Sequence, residues 1–453
     1  MYQDYWGLLS ISFRVNGSAF FLHLLEKFHP THDFLAAMSS LVAILAALSG
    51  TPLFAVIGAL ALLHFFFAEI DLTVIFIEMY RIAETPTLTA IPLFALTGFI
   101  LAASKAPAHL VKFSQALLGW LPGGLAVMAI LVCALFTALT GASGMTIVAL
   151  GGLLLPALQQ QRMPDSFSLG LITTSGSLGL LFPPSLPLII YAIVSKTPVD
   201  QLFIAGIAPG ILLITALSAY SFLQGKRIVP LQRHGGFDQL PKAFIDCSSE
   251  LLLPVVILGG IYGGVIALSE AAALSTLYVL IVEVLIRREI PIGKLPTIIR
   301  DSMVLFGGIL VVMATAMAYT SYLIDAEIPA QLLRWIQTHI DNRWLFLILL
   351  NLFLLAVGCM IDMFSALILV VPLILPIAQA YDVHPIHLGI IFLTNLEIGY
   401  STPPVGLNLF IASIRFERPI FDLYRASIPF ILILLICLAL ITYVPAISLF
   451  MVD

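Results

Sequence analysis

The stretch LFPPSLPLIIY, Leu181 to Tyr191, sets three prolines inside an otherwise apolar run. Proline donates no backbone hydrogen bond and pushes the residue before it out of the helical region. A helix entering this stretch must therefore stop, and another must begin beyond it. In hydrocarbon each backbone group freed by such a break costs on the order of several kcal/mol, so breaks persist there only where they face protein, water or a ligand. A second copy of the pattern, TPPVGLNLFIA, runs from Thr402 to Ala412.

Composition places both copies in lipid. The 453 residues are 60% hydrophobic and 10% charged, with a mean hydropathy of +1.09; a soluble protein of this size carries roughly a quarter charged residues. The fold class is thus an all-α polytopic membrane protein. An outer-membrane barrel is excluded because stretches such as Ile130 to Leu139 and Ile431 to Ile441 do not alternate polar and apolar residues. The net charge of -5 gives no reason to invoke nucleic acid. Cys133, Cys247, Cys359 and Cys437 are scattered singly and read as packing residues. Residues 1–34 lack a basic start followed by a clean apolar core and read as a leader or interfacial segment.

Of 20 Lys plus Arg, eight fall in two loops: Lys226, Arg227, Arg233 and Lys242, then Arg287, Arg288, Lys294 and Arg300. The positive-inside rule makes both loops cytoplasmic, with Leu251 to Ile266 and Ala271 to Ile286 as a pair of crossings between them. Arg415, Arg418 and Arg425 mark a membrane face. A crossing helix needs about 20 residues, yet several apolar segments are shorter, and these cluster in 124–195 and 344–414. They read as hairpins over 124–158 and 344–380 and as broken helices over 167–195 and 386–414. The two regions align at an offset of 219 to 222 residues, with Pro156 over Pro376, Gly170 over Gly389 and Pro183-Pro184 over Pro403-Pro404. The match extends upstream, where APAHLVKF from Ala106 is similar to IPAQLLRW from Ile328. The organisation read from this is a first half over 35–223, central loops and a helical hairpin over 224–300, and a second repeat over 301–453. Interrupted helices at matching repeat positions point to a secondary transporter with its site at the repeat interface; the repeat itself is compatible with inverted or parallel copies.

At each break one half-helix ends in free carbonyls, which suit Na⁺, and the next begins with free amides and a positive dipole end, which suit a carboxylate. One Pro-Pro pair alone is as readily a packing kink. Upstream of the first break, Thr140 to Thr146 (TGASGMT) forms a candidate hairpin tip whose glycines allow a tight turn and whose hydroxyls offer neutral oxygens to a hard cation. Its counterpart is Gly358 to Ser365. Thr173, Thr174, Ser175 and Ser177, and opposite them Asn395, Glu397, Ser401 and Thr402, lead into the breaks; any one such hydroxyl more commonly bonds back to its own helix. Asp362 and Glu397 are ionisable residues inside apolar segments and so functional candidates, while Glu270 and His64 read as boundary residues. Gly141-Ala142-Ser143-Gly144 also matches the Gly-x-Ser-Gly of intramembrane serine proteases, which need a histidine from another helix.

These residues carry a family resemblance. Gly50-Thr51-Pro52, AIPLFALTGFIL from Ala90, LPGGLAV from Leu121, TGASGMT, LFPPSLPLIIY and AGIAPG, then NLFLLAVG, CMIDMFSALILVVPLILP, HPIHLGIIF and NLEIGYSTPPVGLNLFIA, resemble the large membrane subunit of tripartite ATP-independent periplasmic (TRAP) transporters. The resemblance covers about residues 35 to 453. It implies a bacterial inner-membrane permease with two inverted repeats, re-entrant hairpins and an elevator-type transport domain in a scaffold. It further implies Na⁺ as coupling ion with no other cofactor, no enzymatic activity, and two partners, a small four-helix membrane subunit and a periplasmic protein that delivers an organic acid. Carried over by motif, the cation candidates are Gly141, Ser143, Gly144, Thr146, Asp362, Ser365, Thr402 and Gly406, and the substrate candidates Ser143, Thr174, Pro184, Ser185, Thr402, Pro404 and Asn408. Residues 1–34 depart from the pattern, and with no fused small subunit in view that partner is expected as a separate chain. The alternative is a stand-alone Na⁺/dicarboxylate symporter of related two-hairpin architecture.

Overall fold

The computed structural model describes residues 51–118, 123–228 and 240–452, with isolated positions between 38 and 46. The expected leader over 1–34, Gly50, Leu121, Pro122 and Arg233 lie outside the described residues. Within them the apolar runs become helices and no strand occurs, as lipid requires of a backbone that must satisfy its own hydrogen bonds. Leu53–Phe67 (α1), Thr73–Ala83 (α2) and Ala90–Ala103 (α3) lead to a short amphipathic helix, Ala106–Leu118 (α4). The first hairpin follows, Gly124–Thr140 (α5) and Ser143–Gln160 (α6), and then the broken helix: Asp165–Ser175 (α7), a 3-10 turn Leu178–Leu181, and Leu186–Ser195 (α8), bent by 46° at the break. Val199–Ile228 (α9) completes the repeat.

Leu240–Tyr262 (α10), Leu268–Val279 (α11) continued by a π-helical Leu280–Ile286, and Leu295–Asp325 (α12) join the halves. Glu270 stands at the turn as read from sequence, its carboxylate accepting from Ala267 N at 2.8 Å. The second repeat then replays the first: Ile328–His339 (α13), the hairpin Arg343–Met360 (α14) and Met363–Ala380 (α15), the broken helix Pro385–Gly399 (α16) and Leu407–Phe416 (α17), then Ile420–Tyr443 (α18) and a final turn Ala446–Leu449 (α19). The paired helices of the two hairpins cover 124–160 and 343–380, and the helices on either side of the two breaks cover 165–195 and 385–416. The full crossings overrun their expected bounds, α12 covering 31 residues or about 46 Å, because hydropathy marks only the hydrocarbon while the backbone ladder continues into the interface.

The orientation of the repeats follows from counting. Three crossings, α10, α11 with its π extension, and α12, separate α9 from the second hairpin. An odd number delivers the second repeat to the opposite membrane face, so the repeats are inverted. Contacts far apart in sequence agree. Arg418, before α18, bridges Asp165 at the start of α7 at 2.8 Å, and the Tyr191 hydroxyl near the end of α8 donates to Pro385 O at the start of α16 at 2.6 Å. The repeats interlock: α17 packs on α6 while its counterpart α8 packs on α15, and α7 packs on α18 while α16 packs on α9. Tyr191, Phe136, Phe203, Phe392 and Phe430 are fully buried where these layers meet. Inside a membrane such burial gains close packing rather than removal from water, and this seam is the core.

Candidate functional site

At the first break Leu181 ends the 3-10 turn, the Pro183-Pro184 bond is cis, and Ser185 caps α8 in extended geometry. The Ser185 hydroxyl turns back and donates to Leu180 O, satisfying a carbonyl that the break would strand. The first tip meets this break directly. Gly141 ends α5 at φ +68°, the left-handed region open to glycine, and a Cβ there would stand 2.7 Å from Leu186 Cγ. Because α7 and α8 together make one crossing, a tip beside their break lies inside the membrane, and the hairpin is re-entrant. Behind it, Thr137 Oγ1 donates to Gly176 O at 2.8 Å and lies 2.6 Å from Thr146 Oγ1. Neutral hydroxyls thus join both arms of the hairpin to the broken helix.

The second break repeats this plan with other chemistry. Pro403-Pro404 is again cis, and Thr402 Oγ1 donates to Ile398 O at 2.8 Å. Gly406, at φ +54°, donates its N–H to Cys359 O at 2.9 Å, tying the break to the second tip. Asp362 caps α15, its carboxylate accepting from Ser365 N at 2.9 Å, and Met363 N–H donates to the Tyr400 hydroxyl. Pro404 O accepts from the Tyr424 hydroxyl. Asn408 N–H donates to Tyr400 O at 3.0 Å while its side-chain amide reaches Thr173 O of the first repeat at 3.4 Å.

The sequence candidates therefore gather at two places. Gly141, Ser143, Gly144 and Thr146 stand at the first tip beside Pro184 and Ser185; Asp362 and Ser365 stand at the second beside Thr402, Pro404, Gly406 and Asn408. Ser143, Thr146, Ser185, Ser365 and Asn408 are buried, whereas Asp362 is exposed and serves its helix end. Thr174 faces its own helix, its hydroxyl donating to Gly170 O at 2.7 Å, the ordinary use of a membrane threonine. Sequence reasoning passed over Thr137 and Tyr400. Both could have been flagged by position, Thr137 as a polar residue one turn before the tip glycine and Tyr400 as the residue between α16 and the Ser-Thr-Pro-Pro.

A protease dyad at Ser143 needs a histidine partner. Among the described residues no histidine hydrogen-bonds it. His64 stands in the last turn of α1, at the segment end read from sequence, and is buried there, with its Nε2 3.0 Å from Ser39 Oγ and its ring 4.9 Å from that of Tyr322. Packing of α1 on α12 encloses a position that hydropathy placed at an edge.

Comparison with known proteins adds identity to geometry. The family described as "Tripartite ATP-independent periplasmic transporter, DctM component" matches residues 38–447. The C4-dicarboxylate TRAP transporter large permease protein DctM of Pseudomonas aeruginosa is 35% identical over 394 residues, covering 86% of this chain and 92% of that one. The sialic acid TRAP transporter large permease protein SiaM of Vibrio cholerae is 32% identical over 373 residues, covering 81% and 86%. Among solved structures, the Alcanivorax borkumensis YdaH transporter, described as having an unusual topology, superposes with a TM-score of 0.52 at 15% identity, over 80% of this chain and 88% of that one; this likeness concerns the fold.

Proposed function

Since the chain belongs to the DctM family, the large membrane component of tripartite ATP-independent periplasmic transporters, we propose that it carries an organic acid across a bacterial inner membrane, driven by a Na⁺ gradient. A periplasmic binding protein delivers the acid, and a small four-helix membrane subunit completes the assembly. The observation that carries this reading is the pairing of each helix break with the hairpin tip of its own repeat, at the seam where the inverted repeats interlock. Helix ends inside a membrane present carbonyls and hydroxyls to a cation and amide dipoles to an anion. The names of two relatives, a C4-dicarboxylate permease and a sialic acid permease, supply the carboxylate common to their substrates.

The tips divide the work. Gly141, Ser143, Gly144 and Thr146 offer neutral oxygens to Na⁺ at the first break, and Ser365, Thr402 and Gly406 do so at the second. Pro184, Ser185, Pro404 and Asn408 border the space between, where the acid sits against helix amino ends. Once loaded, the block of hairpins and broken helices moves as an elevator against a scaffold that includes α10 to α12. Uptake in vesicles holding this chain and its small partner is expected to need both the binding protein and an inward Na⁺ gradient. Uptake without the binding protein identifies a stand-alone Na⁺/dicarboxylate symporter instead; absence of any ion-coupled flux ends the transport reading.

A further inference from the structure

The inverted repeats touch at one residue and its own counterpart. The 220-residue separation that aligns the Pro-Pro pairs also relates Ser177 to Glu397, and the Ser177 hydroxyl donates to the Glu397 backbone carbonyl at 3.4 Å. Glu397 therefore sits at the pseudo-two-fold axis, where its side chain is 1% exposed and neither carboxyl oxygen has a hydrogen-bond partner. Among the described side chains, the helices packed on α16 keep their charged residues near helix ends or caps, namely Lys196, Asp200, Lys226, Arg343, Asp362, Asp422 and Arg425, and none pairs with Glu397.

Other buried oxygens around the same turn are also unsatisfied. Ser401 Oγ, one turn beyond Glu397, has no partner, and neither has Asn408 Oδ1, whose amide nitrogen holds Thr173 O, nor Ser175 Oγ, at the last residue of α7. A carboxylate buried without a counter-charge is strongly unfavourable, and inside a membrane it marks function by default. The segments that carry these oxygens meet at Glu397 through the Ser177–Glu397, Asn408–Thr173 and Asn408–Tyr400 hydrogen bonds, and a positive charge held there would satisfy them together.

We propose that Glu397, with Ser401, Ser175 and Asn408, seats one coupled monovalent cation at the pseudo-two-fold axis, in addition to the ions at the two tips and bordering the second tip through Ser401 and Asn408. Either Na⁺ or a proton supplies that charge. The first repeat has serine at the equivalent position, so there is one such seat per chain. This inference rests on the cation-coupled transport reading.

Two measurements on the purified full-length protein test it, with cation alone as the probe. In equilibrium ²²Na⁺ binding, a Na⁺ seat lowers the saturating number of ions by one in Glu397→Gln relative to wild type. In Na⁺-free choline buffer, a hydrophobic carbodiimide labels Glu397 of the wild-type protein. Added Na⁺ blocks that labelling if the seat takes Na⁺; raised pH, but not Na⁺, suppresses it if the seat takes a proton. An unchanged ion count together with an unlabelled Glu397 overturns the inference alone. Wild-type protein that binds no Na⁺ counts instead against the Na⁺-coupled reading. If the glutamine variant does not fold, wild-type labelling decides by itself, and a Glu397 that stays unlabelled in choline overturns the seat.

Discussion

The two helix breaks share a backbone and differ in the side chains that close them. Gly179 and Gly399 occupy equivalent positions after the aligned glycines of α7 and α16, and each is pressed on the first arm of its own hairpin: a Cβ at Gly179 would stand 2.1 Å from Ala134 O, and one at Gly399 2.6 Å from the Gly358 carbonyl carbon. The first tip is closed by threonine hydroxyls and a left-handed glycine, the second by an aspartate cap and a buried tyrosine hydroxyl. Symmetry thus lives in close approaches that only glycine permits, while the ionisable side chains Asp362 and Glu397 belong to the second repeat alone. An inverted pair built this way can present matching geometry to both membrane faces and still close its two tips with different side-chain chemistry.

The harshest test of the shared part is to fill it. Gly179→Ala and Gly399→Ala each drive a methyl into backbone rather than into a side chain that can swing aside. Overpacking of this kind typically costs about 1–3 kcal/mol and sometimes more, so both variants are expected to lose most of their monodisperse protein and their uptake. Comparable losses support equivalence of the two positions; a variant that folds and transports normally at one of them breaks it.

Next come the unlike closures. Thr137→Val removes the donor to Gly176 O, and Tyr400→Phe leaves the Met363 N–H without its acceptor. Each leaves a buried polar group unpaired, at about 1–3 kcal/mol. Thermal midpoints are expected to fall in both variants and the Na⁺ concentration for half-maximal uptake to rise in both. A normal Na⁺ response in one variant would remove that tip from the cation sites.

Much of this architecture was legible in the sequence, because a Pro-Pro pair inside an apolar run has few physical meanings in lipid. The hairpins over 124–158 and 344–380 and both breaks were placed from hydropathy and proline chemistry. Inversion was not legible. The parity of crossings turns on whether short apolar helices return or traverse, and segment length does not separate those outcomes. Contacts such as Tyr400 to Met363, Ser177 to Glu397 and Arg418 to Asp165 join residues that only the folded chain brings together. His64 was placed at a segment end and stands in the last turn of α1, but its burial under α12 was not legible, because hydropathy along one segment says nothing of what packs over it.

Asp362 sharpens the comparison at smaller scale, since its exposed carboxylate caps α15 through Ser365 N. Asparagine caps about as well as aspartate, whereas alanine loses about 0.5–2 kcal/mol. Asp362→Asn is therefore expected to keep the wild-type melting temperature and Na⁺ dependence, and Asp362→Ala to melt earlier. A raised Na⁺ requirement in the asparagine variant would show that the carboxylate is also an ion ligand.

The smallest effect belongs to the bridge that joins the repeats at one membrane face. Arg418 and Asp165 are 45% and 42% exposed, where an ion pair contributes about 0–1 kcal/mol and is screened by salt. The partners are not equivalent, however. Asp165 also sits in the first turn of α7, where the helix dipole favours a negative charge, and accepts from Gln159 Nε2 at 2.7 Å. Asp165→Ala should thus lower the melting temperature more than Arg418→Ala, with the part owed to the Gln159 hydrogen bond persisting at high salt while the dipole part and the coupling between the two in a double-mutant cycle fade. Equal effects of the two substitutions would mean that the inter-repeat bridge, rather than the helix start, is what Asp165 serves.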